Sequence, residues 1–236
     1  MTIRLRTLAL VLCACLLLAV DALAAGRAVT FRGEDGHAIG GYLVESDAKP
    51  APAVVLVPML GRTKEDWQGV AQRLADAHIT ALAIDLPKQY LPADNSELAL
   101  WPRDIQAAVA YLAARADVRA GAIGVAGASL GANLAAMAAA DNPLILSVAL
   151  VSASLDYRGL RIEGAMRQYG ARPALLMASL NDPYAARSAR ELAKDAPGPR
   201  ETRWSDTAAH GTVLLSEQPD LVRADRKSTR LNSSHT

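Results

Sequence analysis

The stretch Ile123-Gly124-Val125-Ala126-Gly127-Ala128-Ser129-Leu130-Gly131-Ala132-Asn133-Leu134 decides how the rest of the chain is read. Its first half predicts a short strand over Ala122–Val125, and the Ala-rich run behind it predicts a helix over Leu130–Ala140. Between them Gly127-Ala128-Ser129-Leu130-Gly131 has the form G-x-S-x-G. The strand before it and the helix after it carry more weight than the letters. A helix packed closely on the strand that feeds it leaves no room for side chains at 127 and 131, which is why glycine is wanted at both. Ser129 Oγ would then stand above the sheet at a helix N-terminus, where backbone N–H groups favour a developing negative charge. The reading without function is an accidental Gly/Ser turn.

Outward from this turn, the chain alternates between strand and helix from about residue 28. Val29–Arg32 and Ile39–Val44 flank Glu34-Asp35-Gly36-His37, a hairpin signal. Val54–Val57 is a continuous apolar run, as for a strand buried on both faces. A helix is predicted over Lys64–His78, with Trp67, Val70, Ala71 and Leu74 on one face and Thr63 with Asp66 as its N-terminal cap. Thr80–Ile84 is the next strand. Pro102 then opens a helix whose Ile105, Val109 and Leu112 share a face. Ile145–Val151, Ala174–Ala178 and Arg200–Trp204 are further strands, and Tyr184–Lys194 is helical. Such alternation means an α/β fold, a mostly parallel sheet of about eight strands flanked by helices. Ligands of such sheets collect at the carboxyl ends of the strands.

A serine hydroxyl is a poor nucleophile until a base can take its proton. Outside both chain ends there are three histidines, His37, His78 and His210. His37 falls in the first hairpin turn and His78 at the end of a surface helix, so both are expected to be solvated. His210, in Ala208-Ala209-His210-Gly211, follows the last strand, and the glycine beside it permits a tight approach to Ser129. The base needs an acceptor to orient its ring. Asp182, after Ala178-Ser179 and before Pro183, fits best; Asp156 is the second choice, and Asp206 reads better as a loop cap. Asp104 is expected to support the start of its helix, and Asp85-Leu86-Pro87 to be a turn near the pocket rim. Arg158 and Arg161 read as solvated, with contact to an anionic substrate as the alternative.

The order Ser129…Asp182…His210 resembles the α/β-hydrolase superfamily, and the layout is similar to its compact dienelactone-hydrolase-like branch of serine esterases, over residues 28–224. Two departures stand out. Dienelactone hydrolases proper carry cysteine as nucleophile where this chain has Ser129. Many relatives have His-Gly after the third strand, where this chain has Pro58-Met59-Leu60-Gly61. The resemblance implies an oxyanion hole made of the Leu130 N–H and, from that loop, the Leu60 N–H, with Met59 the alternative. Pro58 has no N–H to give. It also implies hydrolysis of carboxyl esters through an acyl-enzyme on Ser129. Only 22 residues separate Val151 from Ala174, which leaves no room for a cap domain and predicts an open site. An acyltransferase or perhydrolase would use the same residues, and a non-catalytic binding protein would keep the scaffold alone.

Both ends are set aside. Residues 1–24 read as a bacterial-type signal peptide: Arg4 and Arg6 precede 13 apolar residues, Leu8–Val20, too few for the ~20 that span a bilayer. This predicts a periplasmic or secreted protein without stable membrane insertion once the signal is cleaved. A retained anchor and a lipoprotein at Cys15 are the alternatives. Residues 225–236 read as one frame of a sequencing adapter, so they and His235 are expected to carry no chemistry. Leu221–Ala224 is expected to begin a final helix that is cut short. Residues 25–224 then form one domain with a net charge of about −2, and Cys13 and Cys15 both lie in the signal. Dispersed charge gives no basic patch for nucleic acid. No cluster has metal-ligand spacing. No cofactor is expected, and the partner expected is a small-molecule ester.

Overall fold

The chain forms ten strands in the structure, a computed structural model that describes residues 26–222 except residue 195. They are β1 (Arg27–Arg32), β2 (Ala38–Val44), β3 (Ala51–Val57), β4 (Thr80–Ile84), β5 (Val118–Ala128), β6 (Ile145–Val151), the two-residue β7 (Asp156–Tyr157) and β8 (Leu160–Arg161), β9 (Ala174–Ser179) and β10 (Arg200–Ser205). Eight of them form one sheet in the order β1-β2-β4-β3-β5-β6-β9-β10, and β7 and β8 pair as a separate hairpin. Strand β2 is antiparallel to β1 and β4; every pair from β4 to β10 is parallel. The helices are α1 (Gln68–Asp76), α2 (Asn95–Leu98), α3 (Pro102–Ala113), α4 (Leu130–Asp141), α5 (Ile162–Tyr169), α6 (Pro183–Ala193) and α7 (Thr212–Glu217). Among the described residues no helix is long and apolar enough to cross a membrane.

Alternation along the strands divides the apolar residues between two cores. Val55, Val57, Leu82, Ile84 and Val125 pack with α3, α4, α5 and α6 on one face. Leu56, Ala81, Ala83, Ala126 and Ala128 pack with α1 and α7 on the other. The two-helix face mixes small residues with Val44, Val151 and Met177, and α1 lies against β4 and β2.

Several expectations are corrected in detail. Strand β5 starts at Val118 rather than Ala122 and runs to Ala128, directly into Ser129. The cap at Thr63 does not form: the chain enters a 3-10 turn, Lys64–Trp67, before α1, and the Thr63 side chain makes no capping bond. Asp66 instead accepts from Arg62 Nε at 2.6 Å and from Thr212 Oγ1 at 3.1 Å. The segment between β6 and β9 holds the β7–β8 hairpin and α5. The chain after β10 is helical from Thr212, nine residues before Leu221, where the final helix was expected. The expectations for residues 1–24, Arg223, Ala224 and 225–236 lie outside the described residues.

Candidate active site

Ser129 sits where β5 ends and α4 begins, with φ 50° and ψ −118°. A side-chain-bearing residue in this region is strained and persists only where its surroundings hold it. The holding groups are identifiable. Ser129 N–H donates to Val151 O at 2.8 Å, which continues the β5–β6 ladder by one residue. A Cβ at 127 would run into the Gly131 carbonyl, and one at 131 into the carbonyls of Pro58 and Val57, 2.5 Å from the latter. Helix α4 is therefore pressed onto the ends of β5 and β3, as the two glycines required.

The same contact brings the loop after β3 beside the start of α4. Met59–Arg62 is a turn closed by Arg62 N–H on Met59 O at 3.2 Å, with Leu60 and Gly61 at its centre. Leu130 is the first residue of α4, so its N–H has no acceptor within the helix. Among the described residues neither the Leu130 nor the Leu60 N–H is hydrogen-bonded. Both expected oxyanion donors are thus on adjoining segments at the carboxyl edge of the sheet.

His210 has further to travel. Its loop leaves β10, three strands from β5, or roughly 14 Å at about 4.8 Å per strand. Residues 206–211 can span about 20 Å when extended, so the loop must run back almost directly. Polar side chains at the strand ends hold it on that course. Ser179 Oγ donates to Thr207 O, and Asn181 Nδ2 donates to Asp206 O at 2.5 Å. At the far end Gly211 N–H donates to Ser152 Oγ at 3.0 Å. A Cβ at 211 would lie 3.7 Å from Ala128 Cβ and 2.5 Å from Met59 Sδ, so Gly211 touches the residue before Ser129 and the loop that carries Leu60.

Asp182 divides its carboxylate between two tasks. Oδ1 caps α6 by accepting Ala185 N–H at 3.1 Å, and Oδ2 meets His210 Nδ1 at 2.5 Å. The aspartate is largely buried while the imidazole is 46% exposed, which leaves the ring open to solvent. The structure therefore joins Asp182 to His210 directly, and brings Ser129 and His210 together through their chain neighbours. Among the described residues Ser129 Oγ makes no hydrogen bond.

The other candidates fall elsewhere. Asp156 caps the hairpin turn, accepting Gly159 N–H at 2.7 Å and Arg161 Nε at 3.0 Å, so Arg161 is paired rather than merely solvated. Asp206 contributes its carbonyl to the loop. Arg158 donates to Pro92 O at 3.5 Å. His37 is not simply solvated: it bonds Asp35 and reaches Asp104 at 3.1 Å, and the Asp35 bond raises its pKa. Burial raises the carboxyl of Asp104, which is the acidic residue in the first turn of α3, as expected, and also meets His37. His78 is exposed and meets Asp47 at 2.7 Å. Asp85 accepts from Lys64 N–H at 3.0 Å and Lys64 Nζ at 2.6 Å, and that bond holds the lysine above its usual range. Sequence reading passed over Ser152, Ser179 and Asn181. Their signal is a polar residue at or just past the end of an apolar strand run, where it reaches the next loop.

A model of the alpha/beta hydrolase family matches residues 54–231, about three quarters of the sequence. The chain belongs to that family. No curated protein matches it. Among solved structures it is similar to DcsB in complex with a substrate analogue, at 12% identity and TM-score 0.68, covering 84% of this chain and 98% of that one. It is similar to a dienelactone hydrolase from Anabaena variabilis at 20% identity and TM-score 0.65, covering 87% and 94%. The esterase domain of a Rhodothermus marinus protein gives 20% identity and TM-score 0.65, covering 84% and 93%. At these identities the likeness is one of fold. It agrees with the compact, dienelactone-hydrolase-like layout.

Proposed function

We propose that this α/β hydrolase cleaves small carboxyl esters through an acyl-enzyme on Ser129. The observation that carries the reading is the 2.5 Å contact of His210 Nδ1 with Asp182, on a loop whose next residue abuts the strained turn bearing Ser129. Ser129 Oγ attacks the ester carbonyl carbon while His210 Nε2 takes the hydroxyl proton. Asp182 holds the ring in the tautomer with the proton on Nδ1 and steadies the imidazolium. The carbonyl oxygen, now negative, is met by the Leu130 and Leu60 N–H groups, each such donor being worth about 3 kcal/mol in the transition state. The intermediate collapses, His210 returns its proton to the leaving alkoxide, and an alcohol departs. Water then attacks the acyl-enzyme with His210 again as base, releasing the acid and restoring Ser129.

The substrate class follows from what covers the site. Between β6 and β9 there are only the six-residue hairpin Asp156–Arg161 and the eight-residue α5, no cap domain, which favours short or exposed acyl groups over long chains. Neighbours named esterase and dienelactone hydrolase support an ester-cleaving reading. The signal read at residues 1–24 would place the activity in the periplasm or outside the cell. The test is a panel of p-nitrophenyl esters from acetate to palmitate, with Ser129→Ala and His210→Ala beside the parent. Turnover that peaks at short chains and falls by 10³-fold or more in both variants supports the proposal. Turnover that survives Ser129→Ala refutes it. Product partition in added alcohol or peroxide separates hydrolase from acyltransferase and perhydrolase.

A further inference from the structure

Four side-chain-bearing residues among those described have φ in the left-handed range: His78, Ser129, Ser152 and Arg158. Two follow from ordinary turn chemistry. His78 ends α1, with its N–H on Ala75 O at 2.9 Å. Arg158 and Gly159, at φ 49° and 90°, form the two-residue turn of the β7–β8 hairpin, which demands positive φ at both positions. Ser129 is the nucleophile of the proposed reaction. Ser152, at φ 51° just past the end of β6, has none of these reasons. Glycine would adopt that backbone without strain, yet the chain carries serine.

What serine has and glycine lacks is the hydroxyl, and here the hydroxyl is engaged. Ser152 is fully buried, so it touches no substrate. Its N–H donates to Met177 O at 2.7 Å, which pins the residue to the sheet. Its Oγ accepts the N–H of Gly211, the residue after His210, at 3.0 Å. The loop that returns over three strand ends is thus hooked near its start by Ser179 and Asn181, and at its end by Ser152 alone among those strand-end side chains. His210 lies between its contact with Asp182 and this last hook. Asp182 fixes one ring nitrogen; the Gly211 anchor fixes where the backbone delivers the ring relative to Ala128 and Ser129.

We propose that Ser152 is a positioning residue: its buried hydroxyl, held on a strained backbone, sets the reach of His210 toward Ser129. This rests on the acyl-enzyme reading above. It acts through His210, and a displacement of about 1 Å in such a group is enough to cost up to about 100-fold in rate.

The experiment uses Ser152→Gly, which relaxes the backbone while removing the hydroxyl, with Ser152→Ala as a variant that keeps the strain. On p-nitrophenyl acetate, kcat is expected to fall roughly 10- to 100-fold in both, with KM within about threefold of the parent. Both variants strand the Gly211 N–H, but only glycine relieves the backbone strain, so the melting temperature of Ser152→Gly should lie above that of Ser152→Ala. In a His210→Ala background, Ser152→Gly should cost nothing further, since the two act as one unit. A kcat within twofold of the parent overturns the proposal. So does a melting temperature of Ser152→Gly below that of Ser152→Ala, which means that the backbone is not strained, or a further loss on top of His210→Ala. Activity that survives Ser129→Ala overturns the acyl-enzyme reading itself; activity that needs Ser129 but ignores Ser152 overturns only the positioning role.

Discussion

Gly131→Ala puts one methyl group at the point where α4 meets β3. The new Cβ would sit 2.5 Å from Val57 O and also against Pro58 O. An ordinary contact needs about 3.5 Å, so the surfaces must part by about 1 Å. Val57 cannot yield, because it is fully buried in β3, between β4 and β5. The start of α4 must retreat instead, and with it Ser129 and the Leu130 N–H. Overpacking of this kind costs about 1–3 kcal/mol of stability. Displacing the proposed nucleophile and oxyanion donor together by that distance is expected to lower kcat by about 100-fold. Urea unfolding and ester kinetics on the same preparation measure the two effects. Gly164→Ala in α5 is the control, since its Cβ meets nothing nearer than Arg167 Nη2 at 3.9 Å, and both quantities should stay near the parent's. Gly131→Ala with the parent's stability and kcat would show that close packing at this glycine does not set the turn at Ser129.

Other expectations follow from single contacts. Asp182→Asn keeps a side-chain oxygen to cap α6 but loses the carboxylate on His210, so kcat should fall 100-fold or more while unfolding free energy moves by less than about 1 kcal/mol. Equal losses in both would mean that Asp182 is a cap only. Asn133 is buried and joins α4 to the loop after β6 through Ser154 N–H and the carbonyls of Ser154 and Leu160. Asn133→Ala strands those groups and should cost about 2–4 kcal/mol in urea unfolding; a cost below 1 kcal/mol would contradict the clamp. The raised pKa of His37 makes its bonds to Asp35 and Asp104 stabilising below about pH 6.5, with that stability lost as pH rises through the folded-state value. Melting temperature should therefore fall more between pH 6 and 8.5 in the parent than in His37→Asn. The difference should stay under about 1 kcal/mol, because the ring is 43% exposed. Identical slopes would remove His37 as the cause.

The centre of the sheet was legible because β3 and β4 are buried almost throughout and read as apolar runs; Thr80–Ile84 matches β4 to the residue. The turn at Ser129 was legible because its geometry needs two glycines at fixed spacing. Short elements escaped: β7 and β8 are two residues each, and α7, Thr-Val-Leu-Leu-Ser-Glu, is too short to show a helical period. The pairing of Asp182 with His210 was legible from chain order and position after strands. Nothing local distinguished Ser152 from any other serine, because its role depends on Gly211, 59 residues on. Asp104 stands in the first turn of its helix as expected, but its contact with His37, 67 residues away, had no local signal; nor did the bond of Asp66 to Thr212, formed where a cap with Thr63 was expected.

The proposed reaction depends on one hydroxyl. Treatment of the purified protein with a fluorophosphonate, followed by peptide mapping by mass spectrometry, asks whether Ser129 Oγ is activated. The expected result is a single adduct on the peptide containing Ser129, absent in Ser129→Ala and formed at least 100-fold more slowly in His210→Ala. An unlabelled protein, or an adduct on another serine that survives Ser129→Ala, would contradict it.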